Sequence, residues 1–516
     1  MIGIILSEKD FDYELQALAA SFFPGQSCRI FTMQEALPSM AVAVEIYLGR
    51  EEIFGKVRAG DYVGEDCILA DISEDWHKKP DKTTHPCRAW YKNLLKRMVF
   101  QLLQGIPEES IPTGIRRRIP QWGTMTGVRP TKIPMNGMLQ GKSREQVREE
   151  MEQWYCCQRD KLDLCLEIAE REAELLRNVD FSRGYSLYIG IPFCPTTCLY
   201  CSFPSYPYDR FGKLSEEYLE ALLKELEAVQ DECGGHPLST VYVGGGTPTT
   251  LTAGQLDRLL SYVEEHFPVG ECREWTVEAG RPDSITEEKL RMLRGHGVSR
   301  ISINPQTMPE KTLQYIGRNH TVEDVGRAFH LARDMGFDNI NMDLIAGLPG
   351  EEPADFEDTL EKIRQLNPDS ITVHSLVVKR ASRLRELLEQ AGDYRRQEEN
   401  RQIQMDIMLQ RALSFAREQG YEPYYMYRQK NSGTHSGTSG QENIGFARPG
   451  KESLYNVLMM EEMQTIAAVG AGASTKYYHM PERIVSRGEN VKSIIDYISR
   501  IDEMIARKRG KFWEKR

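Results

Sequence analysis

The chain has 516 residues, too many for one ordinary hydrophobic core, so two or three domains are expected. Its charged and apolar fractions, 27% and 40%, are those of a globular protein, and its net charge of −11 counts against a dedicated nucleic-acid binder. Eleven cysteines, with none after Cys272, do not form a pattern typical of a disulfide framework. Glu8, Lys9 and Asp10 interrupt the first apolar residues, and no later apolar run reaches bilayer length, so we expect a cytoplasmic protein.

Residues 1–135 have the pattern of a small α+β accessory domain. The predicted elements are a strand at 1–6, a helix at 10–22, a hairpin of strands at 40–47 and 52–58, and a helix at 88–104. A stretch punctuated by Gly and Pro follows, and it carries a basic cluster of Arg116, Arg117, Arg118, Arg129 and Lys132. Such a cluster suits carboxylates or phosphates, with Trp122 as a stacking surface, although a solvated linker explains the same residues.

Residues 136–180 are predicted to form a bridging helix, long or broken over 143–178 and opened by the capping-box pair Ser143 and Gln146. From 181 to 380, short β-rich runs alternate with amphipathic helices, which favours parallel strands covered by helices. The predicted strands are 186–191, 239–244, 273–279, 300–305, 339–345 and 370–376. The helices between them are predicted to begin near Ser215, Thr252, Thr286, Thr321 and Pro353.

This alternation predicts an α/β fold whose core is a partial (βα)6 barrel, with functional residues at the carboxyl ends of the strands. Residues 381–516 are predicted to form a mainly helical α/β extension that covers the substrate and cofactor. The extension contains a Gly/Ser/Thr-rich loop at 431–441 and an apolar run that ends in a glycine-rich turn at 467–474.

Three cysteines follow the first barrel strand in one short loop, Cys194-Pro-Thr-Thr-Cys198-Leu-Tyr-Cys201, which we call the cysteine loop. Thiolates suit soft metals, and three of them on a four-iron cubane would leave one iron open to a substrate or cofactor. The alternatives are a zinc site that takes a further ligand from Cys233, His236 or His320, and three unrelated thiols.

Residues suited to bind a nucleotide-like amino acid follow the other predicted strands. Glycines at 244–246 allow close approach of the backbone to a ligand. Glu278 can accept from a hydroxyl or an ammonium group, and Gln306 can both donate and accept. Arg318 can pair with a carboxylate, and Asp343 ends the fifth strand. Each alone is explained by a cap or a surface ion pair, but their shared place at strand ends favours one site.

The cysteine loop, the run Gly244-Gly-Gly-Thr-Pro248 and the run Asp343-Leu-Ile-Ala-Gly-Leu-Pro resemble the radical S-adenosylmethionine (SAM) branch of oxygen-independent coproporphyrinogen III oxidases. Four further runs resemble coproporphyrinogen dehydrogenases of the HemZ type, namely those from Trp122 to Lys132, from His374 to Ser382, from Tyr427 to Asn431 and from Phe446 to Glu452. The resemblance implies that Cys194, Cys198 and Cys201 hold a catalytic 4Fe-4S cluster. The SAM contacts that it implies are Tyr188, Tyr200, Gly245, Gly246, Thr247, Glu278, Gln306, Arg318 and Asp343.

The resemblance also implies a reaction in haem and porphyrin biosynthesis. A reduced cluster would cleave SAM, and the 5′-deoxyadenosyl radical would take a β-hydrogen from a propionate of coproporphyrinogen III. Loss of carbon dioxide and one electron would leave a vinyl group, so a low-potential electron donor and an electron acceptor are expected partners. The candidate cations for the tetrapyrrole carboxylates are Arg116 to Arg118, Arg129, Lys379, Arg380, Arg428 and Lys430, with Trp122 or Tyr424 to Tyr427 beside the macrocycle.

Phe203 stands where the well-known oxidases carry a fourth cysteine, as it does in the related haem-binding chaperones. The alternative function is therefore a haem carrier on the same scaffold, with His374 or His320 as the axial ligand. A third reading is a radical SAM enzyme that acts on RNA, but the net charge of −11 counts against it.

Overall fold

The computed structural model describes residues 1–8, 10–49, 51–70, 86–379, 382–390, 394–429, 442–481 and 483–513. Arg380, Lys430 and the predicted loop at 431–441 lie outside the described residues. The chain divides into two compact units. The first consists of Met1–Glu170, Asp393–Gln402 and Tyr427–Glu442, and the second of Arg171–Gly392, Ile403–Met426 and Asn443–Arg516. No helix in the described ranges is long and apolar enough to cross a membrane.

The first unit is built on a five-stranded sheet whose strand order is β2-β1-β3-β4-β5. Its elements are β1 (Ile2–Leu6), α1 (Asp12–Phe22), β2 (Cys28–Thr32), β3 (Val42–Leu48), β4 (Glu52–Ala59), β5 (Tyr62–Leu69), α2 (Pro86–Gln104), α3 (Lys132–Leu139) and α4 (Arg144–Tyr155). Side chains of α1 and α2 join those of β1, β3 and β4 in one apolar core. The predicted strand, hairpin and helices are confirmed, whereas β2 and β5 were not predicted because each is only partly apolar.

The basic stretch that follows α2 is largely committed to internal contacts of the first unit. Trp122 is only 1% exposed, and its indole N–H donates to Glu442, which also lies 3.3 Å from the Lys161 ammonium. Arg428 is buried and donates to the carbonyl of Met125. The prediction that Trp122 offers a stacking surface and Arg428 a free cation is therefore wrong, because burial withdraws both side chains from ligands.

Arg117 is likewise used within the first unit. Its guanidinium donates to the carbonyls of Leu103 and Gln104, at the carboxyl end of α2, and forms an ion pair with Glu108. A cation at this end of a helix satisfies carbonyls that lack partners inside the helix. The sequence showed the positive charge of the stretch but not this capping role.

The second unit contains an eleven-stranded sheet in the order β14-β15-β13-β12-β11-β10-β9-β6-β16-β17-β18. The strands are β6 (Tyr185–Ile191), β9 (Leu238–Gly245), β10 (Glu274–Gly280), β11 (Arg300–Ile303), β12 (Ile340–Ala346), β13 (Ser370–Ser375), β14 (Glu422–Arg428), β15 (Glu442–Ala447), β16 (Thr465–Val469), β17 (Ser474–His479) and β18 (Ile484–Glu489). A two-stranded ribbon is formed by β7 (Phe193–Cys194) and β8 (Tyr206–Pro207).

The remaining helices are α5 (Arg159–Leu176), α6 (Tyr208–Phe211), α7 (Ser215–Cys233), α8 (Ala253–His266), α9 (Glu287–Gly295), α10 (Glu310–Tyr315), α11 (Val322–Asp334), α12 (Pro353–Leu366), α13 (Arg383–Gln390), α14 (Tyr394–Glu418), α15 (Leu454–Glu461), α16 (Ile494–Ser499) and α17 (Ile501–Lys508). Strands β6 and β9 to β13 pair in parallel as neighbours, as expected for a partial (βα)6 barrel. Helices α7, α8, α9, α11 and α12 begin where the sequence predicted, and capping boxes form at Thr252 and Thr321.

The final segment of the chain contributes strands as well as helices to this unit. Strand β15 extends the sheet antiparallel beside β13, while β16 adds a further parallel strand beside β6. The apolar run that leads into the predicted glycine-rich turn forms strand β16. The predicted bridging helix is interrupted at Cys156, where the backbone adopts a left-handed φ of 51°, so α4 and α5 are separate helices.

Candidate active site

The cysteine loop begins at the carboxyl end of β6, at the edge of the sheet where the parallel strands end. Strand β7 carries Cys194 and pairs with β8, so the chain returns to its starting point after Cys198 and Cys201. The amide N–H of Tyr206 donates to the carbonyl of Pro192 and closes the base of this excursion. All three thiols are half-buried and free of disulfide bonds.

Two neighbouring segments hold the middle of the cysteine loop. The N–H of Leu199 donates to the carbonyl of Ile316, and the hydroxyl of Thr196 donates to the carbonyl of Gly317. Arg281, which is 3% exposed, donates to the carbonyl and the hydroxyl of Thr196 at 3.1 and 2.7 Å. Arg281 was not predicted from the sequence, although its place directly after β10 is a signal that could have identified it.

The three thiols lie close enough to influence one another. Burial raises the pKa of the Cys194 thiol to about 12, and a hydrogen bond from the Thr247 hydroxyl lowers it. Cys198 and Cys201 raise it, and the Arg281 charge lowers it. Thiols must lose their protons to bind a metal, and the charge of a bound metal favours that loss. Three adjacent thiols without disulfides are therefore a donor set that fits an iron–sulfur cluster.

The glycine turn after β9 packs directly on the start of the cysteine loop. The N–H of Gly246 donates to the carbonyl of Ile191, and that of Thr247 donates to the carbonyl of Phe193. A Cβ at Gly246 would lie 2.6 Å from the Phe193 carbonyl oxygen, closer than nonbonded atoms approach. Gly245 adopts a φ of 110°, which side chains other than glycine rarely allow. Glycine is therefore required here for backbone docking, and the turn lies beside Cys194.

Arg318 is a buried cation that adjoins the same loop. It donates to the carbonyl of Asn304, and its charge influences the hydroxyl of Tyr200 and the thiol of Cys198. Its Nε atom is buried and has no hydrogen-bond partner, and no carboxylate of the described residues forms an ion pair with it. A buried guanidinium without a counter-charge is unfavourable, so this position fits a ligand carboxylate.

Glu278 lies at the end of β10 and accepts hydrogen bonds from the Tyr242 hydroxyl at 2.5 Å and from the Gly245 N–H. Burial raises the pKa of Glu278 to about 7; the Tyr242 hydrogen bond lowers it, and the nearby Asp343 charge raises it. Arg300, on β11, lowers it slightly. Glu278 can therefore be either charged or neutral near neutral pH, which suits a group that contacts a polar ligand.

Gln306 and Asp343 are joined through the backbone. The N–H of Gln306 donates to the carbonyl of Asp343, and the N–H of Ile345 donates back to the carbonyl of Gln306. Gln306 has a φ of 69°, an uncommon left-handed conformation for a residue other than glycine. Such conformations persist only where surrounding contacts hold them, and they concentrate at functional sites. The Asp343 carboxylate accepts from the Asn341 amide and lies 4.0 Å from His374.

Tyr188 and Tyr200 lie in different parts of this region. The ring of Tyr188 stacks with those of Tyr242 and Tyr455 at centroid distances of 6.3 Å. Its hydroxyl lies close to Gly245. A ligand that contacts the glycine turn would therefore lie near Tyr188, as the sequence predicted. Tyr200 is in the cysteine loop, where burial raises the pKa of its hydroxyl. The structure thus brings the predicted residues together in two adjoining groups, one at the cysteine loop and one at the strand ends.

Two of the three proposed extra zinc ligands, Cys233 and His236, do not lie near the cysteine loop. Cys233 ends α7 and His236 precedes β9, so both lie at the amino ends of the barrel strands, opposite the cysteine loop. In the described part of the chain, no three His, Cys, Asp or Glu side chains converge as they would around one metal ion. A cubane differs because each thiolate binds a separate iron, so the sulfurs need not meet at one point.

The two histidines considered as haem ligands differ in access. His320 is 2% exposed, and burial and the Arg318 charge lower its pKa to about 4, so its ring is neutral. Its burial keeps it from a ligand that arrives from outside. The side chain of His374 is 29% exposed at the end of β13, and burial lowers its pKa while Asp343 raises it.

Comparison with known proteins identifies a family and several relatives that this chain resembles. The model of the Radical SAM superfamily matches residues 188–363. The chain is 39% identical over 427 residues to the oxygen-independent coproporphyrinogen-III oxidase-like protein HemZ of Bacillus subtilis, covering 82% of this chain and 81% of the relative. It is 33% identical over 318 residues to the heme chaperone HemW of Bacillus subtilis, covering 61% of this chain and 76% of the relative.

Two further likenesses concern Escherichia coli. The oxygen-independent coproporphyrinogen III oxidase of strain K12 is 33% identical over 191 residues, which are 37% of this chain and 41% of the oxidase. A solved structure, described as coproporphyrinogen III oxidase (HemN), a radical SAM enzyme, is 24% identical with a TM-score of 0.48. The alignment covers 65% of this chain and 73% of that one.

Proposed function

Because the chain belongs to the radical SAM family of oxygen-independent coproporphyrinogen III oxidase-like proteins, we propose that it oxidatively decarboxylates coproporphyrinogen III propionates to the vinyl groups of protoporphyrinogen IX. As a radical SAM enzyme it uses a 4Fe-4S cluster and SAM. The observation that carries the proposal is the cysteine loop beside Arg318, a buried cation that lacks a carboxylate partner among the described residues. This pair of features supplies thiols for a cluster and a counter-charge for an amino acid carboxylate.

In this proposal Cys194, Cys198 and Cys201 hold the cluster, and Arg318 pairs with the carboxylate of SAM. Glu278 accepts from hydroxyls of the ribose, while the strained backbone at Gln306 and the Asp343 carboxylate contact the nucleoside part. When bound, the cluster and SAM supply the hydrogen-abstracting radical chemistry. The residues around them orient the reacting groups and exclude water.

The chemistry also defines what the substrate must give up. A propionate side chain loses one hydrogen atom from its β-carbon, then carbon dioxide and one electron, and the two carbons are left as a vinyl group. The electron needs an acceptor, and the cleavage of SAM needs a low-potential donor; both are proposed partners. Anionic carboxylates on an apolar macrocycle require cations at the rim of the site.

A haem carrier is the second candidate. It is supported by the 33% identity to a heme chaperone, 76% of which is covered by the alignment, and by Phe203 after the cysteine loop. His374 is the better placed axial ligand, because His320 is buried. In this reading the cluster and SAM would regulate loading or release of haem.

An anaerobic assay separates these functions. Cluster-reconstituted protein is incubated with SAM, a low-potential reductant and coproporphyrinogen III, and 5′-deoxyadenosine and decarboxylated tetrapyrrole are measured together by mass spectrometry. We expect both products, and we expect Cys198→Ala to abolish both while Cys67→Ala, at an exposed cysteine of β5, retains them. Deoxyadenosine without decarboxylation, also after an electron acceptor has been added, would contradict the substrate, and stoichiometric haem binding without either product would favour the carrier.

A further inference from the structure

Phe203 is an exposed aromatic side chain two residues after the last cysteine of the loop. It is 69% exposed, whereas the other phenylalanines are buried or half-buried. The Lys379 ammonium lies 5.8 Å from the centre of its ring. Lys379 is exposed, and none of the described carboxylates pairs with it. An apolar ring and an unpaired cation thus stand side by side next to Cys201.

The positions of Phe203 and Lys379 are fixed from below by a small apolar core. Leu199 and Tyr200 of the cysteine loop pack there with Val378 and Leu384, which flank Lys379 in sequence. The N–H of Leu384 also donates to the carbonyl of Leu199. The segment after β13 is therefore attached to the cysteine loop, and the two exposed side chains lie on one packed base.

We propose that Phe203 and Lys379 form a tetrapyrrole-binding platform, in which the ring packs on the macrocycle and the ammonium pairs with one propionate. This inference rests on the proposed function and names part of its substrate site. A tetrapyrrole offers a broad apolar surface with carboxylates at its rim, so it matches an aromatic face with a cation beside it. Since β13 and the cysteine loop reach the same edge of the barrel, a ligand on the platform lies beside the SAM site.

The Lys379 ammonium remains able to bind an anion although it lies beside the Phe203 ring. The ammonium needs hydrogen-bond acceptors, which the ring does not provide, so its contact with the ring leaves it able to bind an anion. Among the cations predicted for the propionates, Lys379 is described, exposed and located in the unit that contains the cysteine loop. Arg428 and Arg117 are engaged in the other unit.

Binding measurements on cluster-reconstituted protein test the platform. The probes are coproporphyrin III, which carries four propionates, and haem, which carries two; both are titrated anaerobically by absorbance. We expect Phe203→Ala and Lys379→Gln each to raise the Kd about tenfold, which equals about 1.4 kcal/mol. Phe203→Tyr and Lys379→Arg should stay close to wild type. Lys379→Gln should also weaken the salt dependence of the Kd, because one screened charge pair is lost.

A matched control removes a charge elsewhere. Lys362 on α12 pairs with Asp358 on the same helix, and Lys362→Gln should leave both Kd values unchanged. Iron content must equal that of wild type, so that weaker binding reflects the platform and not a lost cluster. Weaker binding of coproporphyrin or of haem supports the platform and says which tetrapyrrole it takes. Unchanged Kd values for both probes in Phe203→Ala and Lys379→Gln would overturn it.

The outcome for the platform is separable from that for the proposed function. If wild type decarboxylates coproporphyrinogen III while the two variants bind and turn over normally, the function holds and the platform is wrong. If wild type forms neither deoxyadenosine nor vinyl product while the variants lose tetrapyrrole binding, the platform holds and the decarboxylase is wrong.

Discussion

Arg281→Gln should release the cluster from the protein without unfolding the barrel. Arg281 binds the cysteine loop through two hydrogen bonds to Thr196, and its other nitrogens donate to Asp283 at 2.9 and 2.6 Å. The guanidinium is thus a buried bridge from the end of β10 to the centre of the loop. Glutamine is too short to reach both partners, so the Thr196 carbonyl loses its donor.

The expected size of the effect follows from these contacts. An unsatisfied buried acceptor costs about 1–3 kcal/mol, and the Asp283 side chain is 21% exposed, so water replaces part of its lost partner. We take about 2 kcal/mol as the loss of loop stability. If the cluster leaves from an opened loop, this loss should speed its departure about thirtyfold. Arg281→Lys keeps the charge but not the fork, and should lie between wild type and Arg281→Gln.

The assay follows the visible absorbance of the reconstituted cluster after addition of an iron chelator, with far-UV circular dichroism measured in parallel. Arg258→Gln is the matched control, because Arg258 pairs with Glu216 and Glu220 on the surface. Thr196→Val also removes the donor to the Gly317 carbonyl, so the double variant should lose the cluster faster than Arg281→Gln. Its effect should still fall short of the sum of the two single effects, because both changes remove the contact between Arg281 and the Thr196 hydroxyl. Equal rates of cluster loss in Arg281→Gln and Arg258→Gln would refute the reasoning.

Three further predictions concern the strand-end residues. SAM affinity should rise with pH through about 7 as Glu278 loses its proton and becomes a stronger acceptor, and Glu278→Gln should flatten this dependence in calorimetric titrations. Gly246→Ala should prevent cluster reconstitution, measured as iron content, because the new Cβ would clash with the Phe193 carbonyl. Gly254→Ala is the control and should retain the cluster, because a Cβ there has no atom within 4 Å. The free energy of unfolding, measured with denaturant, should be about 1 kcal/mol higher for Gln306→Gly than for Gln306→Ala, because glycine accepts the positive φ. Both variants should weaken SAM binding equally, because both lose the amide side chain.

The barrel could be predicted from the sequence because each of its elements has a strong local signal. Apolar runs mark β6 and β9 to β13, and Thr252 and Thr321 form the capping boxes that their sequence spacing indicates. The start of α12 at Pro353 follows from the preference of proline for the first helical turn. Strand β16 also has an apolar run, but its place beside β6 joins residues about 280 positions apart, as in Ile466 with Ser186, and no local signal specifies that pairing.

The contacts of charged residues could be predicted less well than their locations. Arg117 stands in a run of three arginines and Arg281 stands alone, yet neither pattern indicates that Arg281 holds the cysteine loop or that Arg117 caps α2. Trp122 was expected to face a ligand because it lies among cations, but the structure turns its indole to Glu442. Such assignments depend on partners distant in the sequence, which local patterns do not specify.

The two buried arginines beside the cysteine loop have different roles because their charges are balanced differently. Arg281 forms an ion pair with Asp283, so its positive charge is largely cancelled and its geometry remains. Arg318 is held by the Asn304 carbonyl, a neutral acceptor, so its charge remains available to thiolates or to a ligand carboxylate. A site that binds an anion next to negatively charged thiolates needs one cation without a counter-charge. A second such cation would attract any anion, whatever its shape. The pairing of Arg281 with Asp283 leaves Arg318 as the cation that attracts the ligand, while Arg281 positions the loop.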